Sequence, residues 1–267
     1  MMNFKKKKII MQENLINDIV LWIKEYCEKN KLKSLIVGVS GGIDSALVST
    51  LCAKTGIKTY CVILPLHQKQ EQTDRGDNHV DWLSKKYDNV TKITIDLTST
   101  FDIFKTIMPI EAHNDLAFAN SKSRLRMVTL YQIAQANNGI VVGTGNKIED
   151  FGVGFFTKYG DGGVDISPIA DLYKSTVYEL AKILEISEEI LTARPTDGLW
   201  DDDRDDETQL GVKYDELEWA MGYLENPNKP KTELTDKEKN VLNIFKKFNK
   251  KNKHKMGKIP VFKIKNN

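Results

Sequence analysis

Ser34-Leu35-Ile36-Val37-Gly38-Val39-Ser40-Gly41-Gly42-Ile43-Asp44-Ser45 is the stretch whose reading decides the fold. Ser34 to Val37 is a short apolar run of the kind buried in a parallel strand, and Ala46-Leu47-Val48 with Leu51-Cys52 gives the next segment the apolar side of a helix. The glycines therefore fall at a strand-to-helix junction. Gly41 and Gly42 carry no Cβ, so the backbone there can take unusual dihedrals and approach a ligand closely. Unpaired N–H groups and the dipole at the helix start favour an anion, and Ser40 and Ser45 add hydroxyl donors. Such a turn holds phosphate. It is not a Walker-type loop, because Asp44 stands where that pattern needs lysine. A carboxylate in the first helical turn stabilises a helix by about 0.3–1 kcal/mol without any ligand. Beside a phosphate cradle it would repel the phosphate unless a cation sat between them, and magnesium takes oxygen ligands and bridges to phosphates.

Three further apolar runs read as strands: 59–64, 90–95 and 139–143. Helical patterns over 74–87, 100–107 and 121–137 supply the crossovers, so the alternation predicts an α/β fold, a parallel sheet flanked by helices on both faces. Ligands of such sheets sit beyond the carboxyl ends of the strands, which places Gly38–Ser45 and Gly143–Glu149 on one rim. Helices are expected over 171–186, 214–224 and 235–250. No linker-like stretch or internal repeat divides the chain, and 267 residues suit one domain.

Thirty-nine basic residues nearly balance 37 acidic ones, giving a formal charge of +2 and no global attraction to nucleic acid or anionic membrane. The basic run Lys246–Lys255 grows out of an amphipathic pattern bearing Val241, Leu242, Ile244, Phe245 and Phe248, and reads as a solvated helix face. Cys27, Cys52 and Cys61 sit in apolar or amphipathic segments without metal or paired-thiol spacing, as expected of a reduced cytoplasmic protein. Lys5–Lys8 precede only three apolar residues, too few for a signal peptide or membrane span, so residues 1 to about 10 are expected to be a solvated tail. His67, His79 and His113 show no mutual ligand spacing, and no zinc is expected.

The loop Ser40–Ser45 resembles the SGGxDS loop of the ATP pyrophosphatases, adenine nucleotide alpha hydrolase-like proteins of Rossmann-like fold that split ATP into AMP and pyrophosphate. More specific are Gly143-Thr144-Gly145-Asn146-Lys147-Ile148-Glu149, Phe155–Asp165, Pro168 and Asp171-Leu172-Tyr173-Lys174. Arg194–Trp200, Asp206-Glu207, Leu210-Gly211, Tyr214 and His254-Lys255 extend the pattern. Together, in this order, they are similar to the ammonia-dependent NAD synthetases over nearly the whole chain.

The resemblance implies ATP-dependent amidation of deamido-NAD by ammonia through an acyl adenylate, in a homodimer with dinucleotide sites near the subunit boundary. It implies ATP binding by Gly38, Val39, Ser40, Gly41, Gly42, Ile43, Asp44, Ser45, Thr144, Lys174 and Thr196. Asp44 and Glu149 become ligands of Mg2+. The chain has one more residue between Glu149 and Lys158 than many relatives, which leaves Asp150 as the alternative ligand. Arg124, Lys158, Asp165, His254 and Lys255 match positions that contact the dinucleotide, although Met256 replaces the usual arginine after Lys255. Asp161 matches the carboxylate that holds ammonium and helps deprotonate it, a step amidation needs because ammonium is not nucleophilic. Lys174 is expected to act catalytically, offsetting charge on departing pyrophosphate.

Arg124 and Arg126 lie about 200° apart on a helix, so they cannot both face one ligand. Leu125, Val128 and Tyr131 of the same helix are expected in the core. The acidic run 201–207 is expected to be extended and partly disordered without substrate, its like charges repelling. Two rival readings keep the adenylating loop: an enzyme with another acceptor, such as nicotinate mononucleotide or a tRNA base, and a nucleotide sensor without catalysis.

Overall fold

Residues 4–200, 202, 204–226 and 233–264 are described in a computed structural model. Four parallel strands form one sheet: β1 (Ser34–Gly38), β2 (Lys58–Ile63), β3 (Val90–Thr94) and β4 (Gly139–Val141), in the order β3-β2-β1-β4. Ser34 pairs with Lys58 on one side and Gly139 on the other, so the first strand is central and the order reverses between β1 and β4. Side chains of β1 alternate: Leu35 and Val37 enter one apolar core, Ile36 the other.

The first core is closed by α1 (Phe4–Lys29), α2 (Ile43–Lys54) and α6 (Lys174–Ile183). Ile16, Ile19, Ile23 and Cys27 recur at helical spacing along α1 and are buried there. The opposite face is covered by α4 (Thr98–Ile107) and α5 (Asp115–Ala136), through Phe101, Met127, Leu130 and Ala134. The expected doubly covered parallel sheet is thus present. A separate apolar cluster lies off the sheet. It joins α9 (Tyr214–Glu225) and α10 (Asp236–Met256) to the turn Ile148–Val153 through Leu217, Val241, Phe245 and Val153.

Four expectations are corrected. The N-terminal segment is helical from Phe4, because the apolar stripe of α1 anchors a helix that continues beyond it; Lys7 to Ile10 are exposed, and residues 1–3 lie outside the described part. Val128 (66% exposed) and Tyr131 (36%) are not core, since α5 turns Met127, Leu130 and Ala134 to the sheet instead. The helix expected over 171–186 is confined to α6, beginning only at Lys174. The acidic run is not extended throughout: Asp206 opens the short helix α8 (Asp206–Leu210), capped by the Asp205 carboxylate accepting from Thr208 N–H, while Asp201 and Asp203 fall outside the described residues.

Behind the glycine loop, α3 (Gln70–Lys86) packs on α2 through a buried imidazole, His79 Nε2 lying 2.9 Å from Ser49 Oγ. Burial lowers the pKa of His79 to about 4. The unfolded chain takes this proton near pH 6.5, the folded chain only near 4, so stability present above pH 6.5 is lost as the pH falls between the two values. The expected loss is about 3 kcal/mol at full protonation. Urea midpoints measured from pH 7 to 4 should fall less steeply for His79→Gln than for the wild type; equal slopes would refute the assignment.

Candidate active site

The loop between β1 and α2 is tied by its own serines. Ser40 N–H donates to Ser45 Oγ (3.2 Å), Gly42 N–H to Ser40 Oγ (3.3 Å), and the Ser45 hydroxyl to Gly42 O (3.0 Å). Helix α2 begins on Gly42, which offers no side-chain cap, so the first turn presents its N–H groups outward. Gly41 holds φ +82°, and a Cβ on it would lie 2.4 Å from the Gln72 carbonyl oxygen of α3, so no other residue fits. The loop opens into a cavity of about 510 Å³ at the carboxyl end of the sheet, where the strand order reverses.

Residues distant in sequence converge on Asp44. Lys174, the first residue of α6 and 5% exposed in its side chain, pairs with Asp44 and lies 3.3 Å from Glu149 Oε1. Asn146 donates to Asp44 Oδ1 (3.3 Å), while its own Oδ1 accepts the N–H groups of Ile148 (3.1 Å) and Glu149 (3.2 Å). Tyr214 donates to Glu149 Oε1 (2.7 Å), and the Lys174 ammonium lies over its ring at 4.8 Å from the centroid. Burial works against the Lys174 charge, yet Asp44 and Glu149 hold its pKa well above the ordinary lysine value. Burial and the Glu149 charge raise Asp44, with Lys174 opposing them.

Glu149 and Asp150 sit in a π-helical turn, Ile148–Val153, closed by Gly154 at φ +64°. A π turn closes with i→i+5 hydrogen bonds and so carries one more residue than an α turn. Both neighbouring carboxylates consequently line the cavity. Asp150 packs on the Gly145 backbone, where a Cβ would sit 2.3 Å from its Oδ1. Burial, then Glu149, Asp161 and Asp44, push its pKa up to about 7.

Asp161 opens onto the same cavity, its Oδ1 accepting from Ser123 Oγ (2.6 Å) and Thr157 N–H (3.0 Å). Burial raises its pKa despite those bonds. Thr144 and Thr196 also line the cavity. Lys255 borders it, donating to Phe156 O (2.7 Å), and Lys158 Nζ lies 3.4 Å from His254 O. Lys158, His254 and Lys255 thus meet where the end of α10 docks on the 155–158 loop.

Arg124 and Asp165 lie outside this cavity. Arg124 is exposed and donates to Lys158 O (3.2 Å), while Asp165 accepts from Tyr131 OH (3.1 Å) and Val141 N–H (2.8 Å). Arg126, on the other side of α5, lines the cavity. It donates to Leu64 O (3.1 Å) and Gln68 Oε1 (2.6 Å), and burial lowers its pKa to about 10. Sequence reasoning passed over Arg126, Asn146, Tyr214 as a partner of Glu149, and Asp206, although the last three belong to the quoted motifs.

The far wall is formed by residues 194–200 together with Asp206 and Gln209. Asp206 N–H donates to Pro195 O (3.0 Å) and Gln209 Nε2 to Asp197 Oδ2 (3.3 Å), so α8 is held against residues 195–197. Burial, then Glu149 and Asp197, push Asp206 up to about 8. Asp44 and Glu149 offer the hard oxygen donors that suit magnesium, and Asp206 Oδ1 has no hydrogen-bond partner among the described residues. The donor set fits a hydrated cation that supplements its ligands with phosphate oxygens and water. Among the described residues no group of three His, Cys, Asp or Glu side chains is drawn together as a complete metal cage.

Residues 15–259 match the family model described as NAD synthase. The NH(3)-dependent NAD(+) synthetase of Finegoldia magna is 37% identical over 238 residues, 88% of this chain and 94% of that one. A solved NMN synthetase from Francisella tularensis superposes with a TM-score of 0.82 at 30% identity, covering 95% of this chain and 99% of its own. An NH3-dependent NAD synthetase from Campylobacter jejuni, in complex with nitrate, gives a TM-score of 0.77 at 25% identity, covering 94% and 99%. The glycine loop, the Asp44–Lys174–Glu149 cluster and this likeness along nearly the full length agree: the chain belongs to the NAD synthase family, ligases that use ATP to amidate deamido-NAD to NAD.

Proposed function

We propose that amidation runs in two steps in the one cavity: attack of the nicotinate carboxylate on the α-phosphorus of ATP, then attack of ammonia on the resulting acyl adenylate. The observation that carries this reading is the convergence of the glycine loop, Lys174, Asp44, Glu149 and Asp161 on a single space at the sheet's reversal point. A carboxylate does not accept ammonia without activation, and converting its oxygen into part of an AMP leaving group supplies that activation. The first step forms a carboxylate O–P bond and breaks the α–β phosphoanhydride; the second forms C–N and breaks C–O, releasing AMP.

The chain's own groups divide this work. Backbone N–H groups of residues 40–45 cradle phosphate at the start of α2, with the Ser40 and Ser45 hydroxyls beside them. Lys174 offsets the charge that gathers on departing pyrophosphate. Asp44 and Glu149 would hold Mg2+, which when bound would neutralise phosphate charge. Thr144 and Thr196 complete the ATP walls. Asp161, its raised pKa suiting proton transfer, holds ammonium and takes its proton. Lys158 and Lys255 supply positive charge for the dinucleotide phosphates, with His254 beside them and Arg124 and Asp165 further round the surface.

Arg124 and Asp165 stand outside the cavity, Asp165 bonded to the exposed Tyr131 and Arg124 one turn from the exposed Val128 on α5, which supports a homodimer that brings this face to a neighbouring site. The free, buried Cys27, Cys52 and Cys61 support a reducing, cytoplasmic setting. No described helix is long and apolar enough to cross a membrane.

A second acceptor is favoured by one observation, the likeness to an NMN synthetase at 30% identity. Parallel assays with magnesium, ATP and ammonium, offering deamido-NAD or nicotinate mononucleotide, decide between them. The expected result is AMP, pyrophosphate and amidated dinucleotide in equal amounts. Faster amidation of the mononucleotide would replace the acceptor, and ADP as product would overturn the adenylate.

A further inference from the structure

Asp206 is the buried acid for which the mechanism above has no use. Its side chain belongs to a residue only 6% exposed, it lines the cavity, and its Oδ1 is buried with no hydrogen-bond partner among the described residues. Its other oxygen fares little better. Among the described residues its donor is the Tyr214 hydroxyl, 3.4 Å from Asp206 Oδ2 but 2.7 Å from Glu149 Oε1, and a hydroxyl has a single proton to give. That proton goes to Glu149. The charges facing Asp206 are Glu149, Asp197, Lys174 and Asp44, and the lysine is already engaged by Asp44 and Glu149. An acid so placed, short of donors among the described residues and beside other carboxylates, is costly to ionise, and a cation or its hydration shell reaching it lowers that cost.

Resting on the magnesium reading of Asp44 and Glu149, we propose that Asp206 is the third carboxylate of the nucleotide–metal site, its Oδ1 receiving a water held by the cation. Magnesium keeps several waters when it binds through two carboxylates and phosphate, so an acceptor lying just beyond the two ligands has a donor to take. The placement also has a consequence for the cavity wall. Asp206 is hydrogen-bonded to Pro195 through its backbone, and Asp197 is held by Gln209, so a cation engaging Asp206 ties residues 195–197 and α8 to the glycine loop across the cavity. Asp206 acts here as a positioning residue, through the metal's water and not on the substrate.

The test uses the whole chain with Mn2+ as a spectroscopic probe and the non-cleavable α,β-methylene analogue of ATP. Free Mn2+ is followed by electron paramagnetic resonance, and the thermal midpoint is measured without metal and with it. Asp206→Asn should weaken Mn2+ binding about tenfold or more and abolish most of the metal-dependent rise in midpoint, while the metal-free midpoint stays level or rises because a buried acid has been removed. Asp206→Ala reads the same way should the amide not fold. Wild-type Mn2+ affinity in these variants, or a metal-free midpoint that falls while the affinity holds, would overturn the proposal and leave Asp206 a merely structural acid. Asp44→Asn separates the two readings. If it loses Mn2+ while the Asp206 variants do not, only the Asp206 proposal fails; if it binds Mn2+ like the wild type, the magnesium reading fails and takes Asp206 with it.

Discussion

Asp44→Asn is expected to reduce turnover by about 10³-fold or more while the protein remains folded. A neutral amide is a poor ligand for a hard cation, and the several kcal/mol of charge stabilisation a bound metal gives a breaking phosphoanhydride translate to about three powers of ten. The fold should survive because Asp44 sits at the start of α2 with its carboxylate turned to the cavity, and the helix is held by Leu47, Val48 and Leu51, all fully buried. Steady-state AMP release with deamido-NAD measures the first claim and a urea titration the second. Near-normal turnover would refute the metal assignment.

Lys174→Ala is expected to act on rate and stability together. Removing one donor aimed at charge developing in a transition state costs about 10²- to 10³-fold, so kcat for adenylate formation should fall by that much with little change in KM for ATP. Without the ammonium, Asp44 and Glu149 face each other in a buried site, and breaking such a pair costs about 3–5 kcal/mol. Magnesium with nucleotide should restore most of that loss, because a divalent cation can compensate the same two carboxylates. Single-turnover kinetics and denaturant midpoints with and without MgATP check both parts. A variant that shows only a raised KM, or no metal-dependent recovery, contradicts the double role.

What the sequence disclosed, and what it hid, follow from how far each signal depends on tertiary contacts. The strands were legible because a parallel strand covered on both faces is a plain apolar run, as Ser34 to Val37 is, and the glycine loop because Gly41 stands where a Cβ would strike α3. The meeting of Asp44 and Glu149 followed from the rule that loops at strand carboxyl ends share a crevice, while Lys174 was placed with them only by the family resemblance. Helix α5 misled. Its pattern does not single out one apolar face, so Val128 and Tyr131 could not be told from Met127 and Leu130 without the sheet beside them. Asp206 was hidden for a similar reason: inside a run of acids nothing local shows that one carboxyl turns inward while Asp202 remains exposed. The π turn has no local signature in the sequence, and only the folded chain shows that it aims both Glu149 and Asp150 into the cavity.

The central claim, capture of the inner phosphorus of ATP by the substrate carboxylate, is tested most directly by oxygen transfer. Deamido-NAD carrying 18O in its nicotinate carboxylate is turned over with unlabelled ATP, magnesium and ammonium, and the products are weighed by mass spectrometry. One labelled oxygen in the phosphate of AMP, with none in pyrophosphate, is the predicted result. Unlabelled AMP, or label in inorganic phosphate alongside ADP, would contradict it.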